Sequence, residues 1–581
     1  MPTDIQLSPA SFPTRSLLGR ANHPSYGPIT AYLVGDLLGC LDNSGSIIHD
    51  QSSVVSYVSD YILSASDLAK VSLLPFVGSF SIVILLHDQS EIYLCVSCTS
   101  PSPYVFLNGN TLSVDFDENK LLKHHKYDLS IDSLVNISLS HQLVVRYPTQ
   151  LFDLPGYIRC PSGHNTRVFI GSKRVKYYPY LNDSPDSFSP SRLRNSLSSI
   201  LSLYYTSYGS ELGLLFSGGL DSSCLASSLQ SANISLPYFH IDYKGDVSPR
   251  SSVASYISSF FGSPTSHLSR FSTSVRSEEI IRQCKAGLMT VPNPMYFGVP
   301  INLESVKCLP KYLITGQGAD SIYVIDGFAP PTESIGSQRV KQIISSAPDR
   351  LALCESYIRH KLSYNQHHVD SSLLNSSIFS DFVFKQCCDL LEHVDYTEYT
   401  KSSQKSPASL ERLEYIAKPV LSLISSYIQS SSNHISISSI YRYIKWMRSL
   451  INCPQQDASA LLSQSVQRLT PYLEGPIVGL FFGYKLREYE SISIKHELES
   501  LFIHQTDVSH RHLVELALSQ PLSLDTCGEK LFTSASSNHI KKVQSEVLRS
   551  LSQDLNSHPH ADRLSGLIKD ATQLVRVAPL L

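Results

Sequence analysis

Between residue 28 and about residue 170, short apolar runs alternate with clusters of Gly, Asn, Asp and Ser. "PITAYLVGDLLGCL", "VSLLPFVGSFSIVILLHD", "SEIYLCVSC", "PYVFLNGNTLSVDF" and "NTRVFIGS" have the length and residue types of strands, and together they predict a β-rich domain. The segment "YPYLNDSPDSFSPSRLR" then concentrates Pro, Ser and Asp, and helix-sized segments begin behind it, which puts a domain boundary near residue 185. From there the pattern alternates. "RLRNSLSSILSLYYTSY" reads as a helix, "ELGLLF" as a strand followed by a helix from Asp221, "LPYFHIDY" as a strand, "SSVASYISSFFG" as a helix and "PKYLITG" as a strand. Strands alternating with helices predict parallel pairing through right-handed crossovers. Beyond residue 340 the period is mostly helical, as in Leu413, Ile416, Val420, Leu423 and Tyr427, with Pro419 expected to kink that segment. "TKSSQKSPAS" (400–409) and "SSSN" (430–433) read as linkers, and no solenoid period is visible.

Composition narrows the class. A chain of 581 residues provides for two or three domains. Hydrophobic content of 42%, charged content of 17% and a net charge of −3 describe a globular protein with no basic excess, so nucleic acid is not an expected partner. No apolar run approaches the roughly 18 residues of a membrane span, and the first twenty residues lack a signal-peptide core. Membrane insertion is therefore not expected. The twelve cysteines form neither a disulfide framework nor a zinc-ligand spacing. Cys95 and Cys98 lie in an apolar strand-like run and read as buried thiols, and Cys387 and Cys388 are an isolated pair. A soluble protein of the reducing cytoplasm is expected.

The chemistry concentrates in "LLFSGGLDSS", Leu214 to Ser223. In an open α/β sheet, ligands bind beyond the C-terminal ends of the strands, where helix N-termini present unpaired N–H groups. Gly218 and Gly219 let backbone N–H groups approach an anion, and Ser217, Ser222 and Ser223 add hydroxyls at the positive end of the following helix dipole. Asp221 would repel a phosphate, so its sensible role is to hold Mg²⁺, which bridges phosphate oxygens. The competing structural reading makes Asp221 and Ser222 a helix N-cap beside a glycine turn. No GxxxxGK[ST] occurs, which disfavours γ-phosphate transfer through a Walker loop.

SGGLDSS after a strand resembles the pyrophosphate loop of the asparagine-synthetase-like N-type ATP pyrophosphatases. A second element, "LITGQGADSIY", is similar to that family's Gly-x-Gly-x-Asp signature and supplies Asp320. The resemblance implies ATP as cosubstrate and Mg²⁺ held between Asp221 and Asp320. Pyrophosphate would rest on Ser217, Gly218, Gly219, Leu220, Asp221, Ser222 and Ser223, and adenosine on Leu215, Ile241, Thr315 and Gly316. It implies an α/β synthetase domain with a parallel sheet and added helices over 186–581. Over 1–185, "FVGSFSIVILLHD", "GNTLSVDFDENKLL" and "IRCPSGHNTRVF" are similar to the α+β, Ntn-hydrolase-like glutaminase domain of asparagine synthetase. That domain needs an N-terminal cysteine, whereas residue 2 here is Pro and the nearest cysteine, Cys40, lies in a strand-like run. A scaffold without glutaminase activity is expected.

Without internal ammonia, the amine comes free or with the substrate. Gln317 stands at the variable position of the second motif, and Gln is no general base at neutral pH. Ser321 after Asp320 also departs from the family's usual Asp-Glu. "RLTPYLEGPIVGLFFGYKLREYES" resembles the lasso peptide macrolactam synthetases, which implies a precursor peptide substrate, with a leader peptidase and a leader-binding protein as partner candidates. An ammonia-dependent asparagine synthetase, a small-molecule or β-lactam-type amide ligase, and a non-catalytic partner-binding member are the alternatives. Lys485 and Lys495 are candidates for a catalytic cation, against solvated helix lysines as the ordinary reading, and Glu355 and the "KHHKY" stretch at 123–127 read as surface charge.

Overall fold

In a computed structural model, the described residues are 4–7, 15–41, 47–48, 51–89, 91–100, 102–108, 111–115, 157–170, 174–180, 190–243, 250–261, 268–273, 278, 281, 310–319, 466–482, 496–518, 545–546, 549–553 and 556. The helices expected near Leu413 and Pro419, the two linkers, Glu355, Cys387, Cys388 and the 123–127 cluster lie outside the described residues.

The first part of the chain forms β1 (Asp4–Leu7), β2 (Arg15–His23), β3 (Gly27–Leu41), β4 (Ile47–Ile48), α1 (Gln51–Leu63), β5 (Phe76–Leu86), β6 (Glu91–Val96), β7 (Tyr104–Asn108), β8 (Thr111–Asp115), β9 (Tyr157–Arg159), β10 (His164–Phe169) and β11 (Arg174–Pro179). One antiparallel sheet runs β11-β10-β6-β5-β3-β2 with β4 beside β3, and a smaller sheet runs β1-β8-β7-β9. In the larger sheet the central strand β5 is mostly apolar and almost wholly buried, because both of its faces are covered. Val83 and Leu85, with Leu94 and Val96 of β6, share one core with Val105, Val114 and Ile158 of the smaller sheet. The alternate residues Ile82, Ile84, Tyr93 and Cys95 point the other way and pack with Val54, Val58 and Ile62 of α1. The period of two along each strand thus divides the side chains between two layers. Helix α1 has no counterpart among the sequence expectations. Its Ser- and Val-rich composition favours helix weakly, and the four-residue spacing of Val54, Val58 and Ile62 against the sheet overrides that.

The second part comprises α2 (Pro190–Tyr208), β12 (Leu212–Leu215), α3 (Leu220–Ser231), β13 (Tyr238–Tyr243), α4 (Arg250–Phe260), β14 (Leu268–Thr273), β15 (Tyr312–Ile314), β16 (Gln467–Leu469), α5 (Gly475–Phe482), α6 (His496–Thr506) and α7 (His510–Leu518). Its sheet has the order β14-β13-β12-β15-β16, and every pairing is parallel. The parallel sheet expected from the strand–helix alternation is present, with β12 at its centre. Helix α3 is buried from Ser222 to Leu229. Alongside it runs α6: the Cys224 thiol donates to the Leu498 carbonyl at 3.3 Å, and Gln505 bonds both Ser227 and Ser228.

The two parts share a core. The cluster that covers one face of β5 continues through Leu197 and Leu201 of α2 to Leu214, Leu225 and Leu473. Glu474, directly before α5, accepts from the Gly78 N–H on β5 at 3.0 Å and from the Tyr204 hydroxyl on α2 at 2.6 Å. Gly475 lies so close that a Cβ there would stand 2.6 Å from the Leu74 carbonyl oxygen.

Candidate active site

Strand β12 ends at Leu215 and α3 begins at Leu220, so Phe216 to Gly219 must reverse from extended to helical backbone within four residues. Gly218 does this with φ +77, a left-handed value costly for a residue with a side chain. A Cβ on it would also lie 2.8 Å from the Cα of Ala254 on α4. The helix cap differs from the N-cap reading of the sequence. Gly219 is the N-cap and makes no side-chain cap bond, while Asp221 and Ser222 belong to the first turn of α3. Ser222 is occupied differently: its hydroxyl donates to the Gly219 carbonyl at 3.0 Å and accepts from the Ser217 N–H at 3.3 Å. Capping is unnecessary for Ser222 because the loop folds back over the helix start.

The peptide groups of this loop are held from both sides. His240 Nδ1 donates to the Phe216 carbonyl at 2.8 Å, and the N–H of the same peptide unit faces the Ser222 hydroxyl. His510 Nε2 donates to the Gly218 carbonyl at 3.0 Å, and the N–H of that unit, on Gly219, faces the Ser217 hydroxyl at 3.2 Å. Tyr472 donates from its hydroxyl to the Asp221 carbonyl at 2.9 Å. Carbonyl oxygens that would repel an anion are tied back, and N–H groups face the Ser217 and Ser222 hydroxyls. Ser223 is fully buried, and no partner for its hydroxyl is found among the described residues.

The neighbouring strand tip lies alongside. Thr315 and Gly316 follow β15, and a Cβ on Gly316 would lie 2.9 Å from the Cβ of Asp221, so only glycine lets the two tips approach this closely. Leu215 sits at the end of β12, and Ile241 lies on β13 two residues past Phe239, the register partner of Leu215. The structure thus gathers Leu215, Ser217, Gly218, Gly219, Leu220, Asp221, Ser222, Ser223, Thr315 and Gly316 at one edge of the sheet, with the backbone of Ile241 on the adjacent strand. Asp320, Lys485 and Lys495 lie outside the described residues. Among the described residues no group of three or more His, Cys, Asp or Glu forms a metal site. What fits a magnesium ion is the Asp221 carboxylate, an oxygen donor of the kind that ion takes, beside a tip kept free of a side chain at Gly316.

Gln317 Oε1 accepts from Arg468 Nη1 at 3.1 Å, which ties the variable position of the second motif to β16. Pro471–Leu473 form a single 3-10 turn with Thr470 at its N-cap, and the apolar helix α5 follows. Cys95, Cys98 and Cys160 are buried free thiols, as expected for the first two, and burial pushes all three up, Cys160 to about 12. Burial also raises the Glu474 carboxyl from 4.5 to about 7, while donors from Tyr204, Gly78 and Thr99 pull the other way. Tyr472, His240 and His510 are absent from the sequence expectations. Nothing local to Tyr472 or His510 points to a loop 251 or 292 residues earlier.

No helix among the described residues is long and apolar enough to cross a membrane. No curated protein matches the chain. Residues 207–362, which carry both strand-tip motifs, match the family model described as asparagine synthase. Members of that family use ATP, and the match supports an ATP-dependent carbon–nitrogen ligase.

Proposed function

We propose that the chain is an AMP- and pyrophosphate-forming macrolactam (isopeptide) synthetase acting on a precursor peptide. An Asp or Glu side chain of the peptide forms a bond to the α-phosphorus of ATP as the bond to pyrophosphate breaks. The peptide's α-amine then bonds to the acyl carbon, gives up a proton, and AMP departs. The observation that carries this reading is the loop at the tip of β12, whose carbonyls are held back by His240, His510 and Tyr472 while its N–H groups and hydroxyls face one another. Such donors are suited to the charge that builds on a departing pyrophosphate. Asp221 and Asp320 are proposed as the magnesium ligands, and Lys485 or Lys495 as the cation. Magnesium, when bound, offsets charge on the phosphate oxygens.

The peptide substrate is favoured over ammonia by the cysteines. The described cysteines of the N-terminal part, Cys40, Cys95, Cys98 and Cys160, are all buried, and none is placed as an exposed thiolate to attack glutamine. A substrate that carries its own amine removes the need. In this reading residues 1–185 are a glutaminase-like scaffold without a catalytic cysteine, 186–581 the synthetase, and a leader peptidase and leader-binding protein its partners in the cytoplasm.

The test supplies the full chain with MgATP and, separately, aspartate plus ammonium or peptides with a free α-amine and an internal Asp or Glu. AMP release with a peptide product lighter by one water is expected. Asparagine with AMP overturns the peptide reading, and no pyrophosphate with any carboxylate overturns the ligase reading.

A further inference from the structure

We propose that His510 is a positioning residue for the anion loop, setting through the Gly218 carbonyl the direction in which the Gly219 N–H points. This rests on the reading of the β12 tip as the ATP phosphate site. In a trans peptide unit the C=O and N–H point in opposite directions, so a donor that holds the carbonyl also aims the N–H. His510 Nε2 holds the Gly218 carbonyl at 3.0 Å, and the Gly219 N–H accordingly points across the loop toward Ser217 Oγ. Because a carbonyl oxygen only accepts, His510 must carry its proton on Nε2.

Gly218 is where such control is needed. With φ +77 and no side chain, its flanking peptides can rotate more readily than any others in the loop, and a flipped Gly218–Gly219 unit would present an oxygen to the phosphate in place of a donor. Ala254 leaves no room for a side chain at Gly218, so the residue must be glycine, and the histidine supplies the hold on its carbonyl. His510 is itself fixed: it is buried at the first position of α7, its ring edge-on to Phe502 of α6 with centroids 5.5 Å apart. The same device recurs two peptide units earlier in the loop, where His240 on β13 holds the Phe216 carbonyl and the Ser217 N–H faces Ser222. His510 lies outside the family-matched segment 207–362, so the C-terminal helices complete a loop whose own residues all fall within that segment.

The experiment measures binding of MgATP and of magnesium pyrophosphate to the full chain by calorimetry, alongside the melting temperature. His510→Phe keeps the aromatic packing and removes the donor; His510→Gln restores an N–H. We expect His510→Phe to weaken both ligands by about tenfold, the scale of one lost hydrogen bond, with a lower melting temperature because the buried Gly218 carbonyl loses its donor, and His510→Gln to recover most of both losses. Unchanged binding in His510→Phe, measured well below its melting temperature, overturns the inference. Equal loss of binding in both variants, or stability restored by His510→Gln without binding, overturns it as well. If the unaltered protein binds neither ligand, it is the assignment of the phosphate site that fails.

Discussion

At Gly218 a single missing methyl group decides whether the chain can turn from β12 into α3. Gly218→Ala places a Cβ against the Ala254 backbone in a left-handed conformation, which costs roughly 1–3 kcal/mol. A lower melting temperature together with loss of MgATP binding is the expected result, read by thermal unfolding and calorimetry. Ser223 behaves oppositely. Its hydroxyl is buried with no partner among the described residues, so Ser223→Ala relieves an unmet polar group. The expected outcome is a melting temperature equal to or above that of the unaltered protein, with weaker magnesium pyrophosphate binding. Lost stability with intact binding would show that the hydroxyl serves the fold instead.

Helix α3 has almost no amphipathic contrast, because β12, α2 and α6 cover it around most of its circumference. Leu225 is fully buried there, and Leu225→Ala should cost about 2–5 kcal/mol in chemical denaturation, the range for an emptied core site. The elements around the site were legible in the sequence wherever the signal was local. "ELGLLF", the glycines after it, "LPYFHIDY" and "PKYLITG" each carry strand and turn chemistry within ten residues, and the structure places them as neighbouring parallel strands. Short partners such as β4 and β16 were missed because two or three residues show no period, and their pairing is decided by the strand beside them. The anchors of the loop were illegible for a different reason. Tyr472 and His510 act across 251 and 292 residues, and a lone His or Tyr has the same local sequence whether it holds a carbonyl or faces water.

Across the whole molecule, Glu474 joins β5, α2 and the turn that carries Tyr472. Its carboxyl is raised from 4.5 to about 7 by burial. An acid raised in the folded protein binds its proton more tightly there than in the unfolded chain, and that preference stabilises the fold. This contribution is therefore full below pH 4.5 and is lost as pH rises to about 7. Glu474→Gln, which mimics the protonated carboxyl, should flatten that slope in denaturation curves taken across the window, with stability below pH 4.5 the less affected. A slope identical to that of the unaltered protein would mean that Glu474 does not titrate in this range.

Strands β15 and β16 lie side by side and parallel, yet Ala319 and Val466, just outside them, are separated by 320–465 in the sequence. That long excursion departs from the edge where Asp221 and Gly316 meet, and its return strand is pinned at Leu469 by the Thr315 N–H. Lengthening a connection adds closure entropy only logarithmically, by about 0.6 kcal/mol per doubling. The two strands can therefore hold their register beside the candidate site at little added entropic cost, however many residues join them.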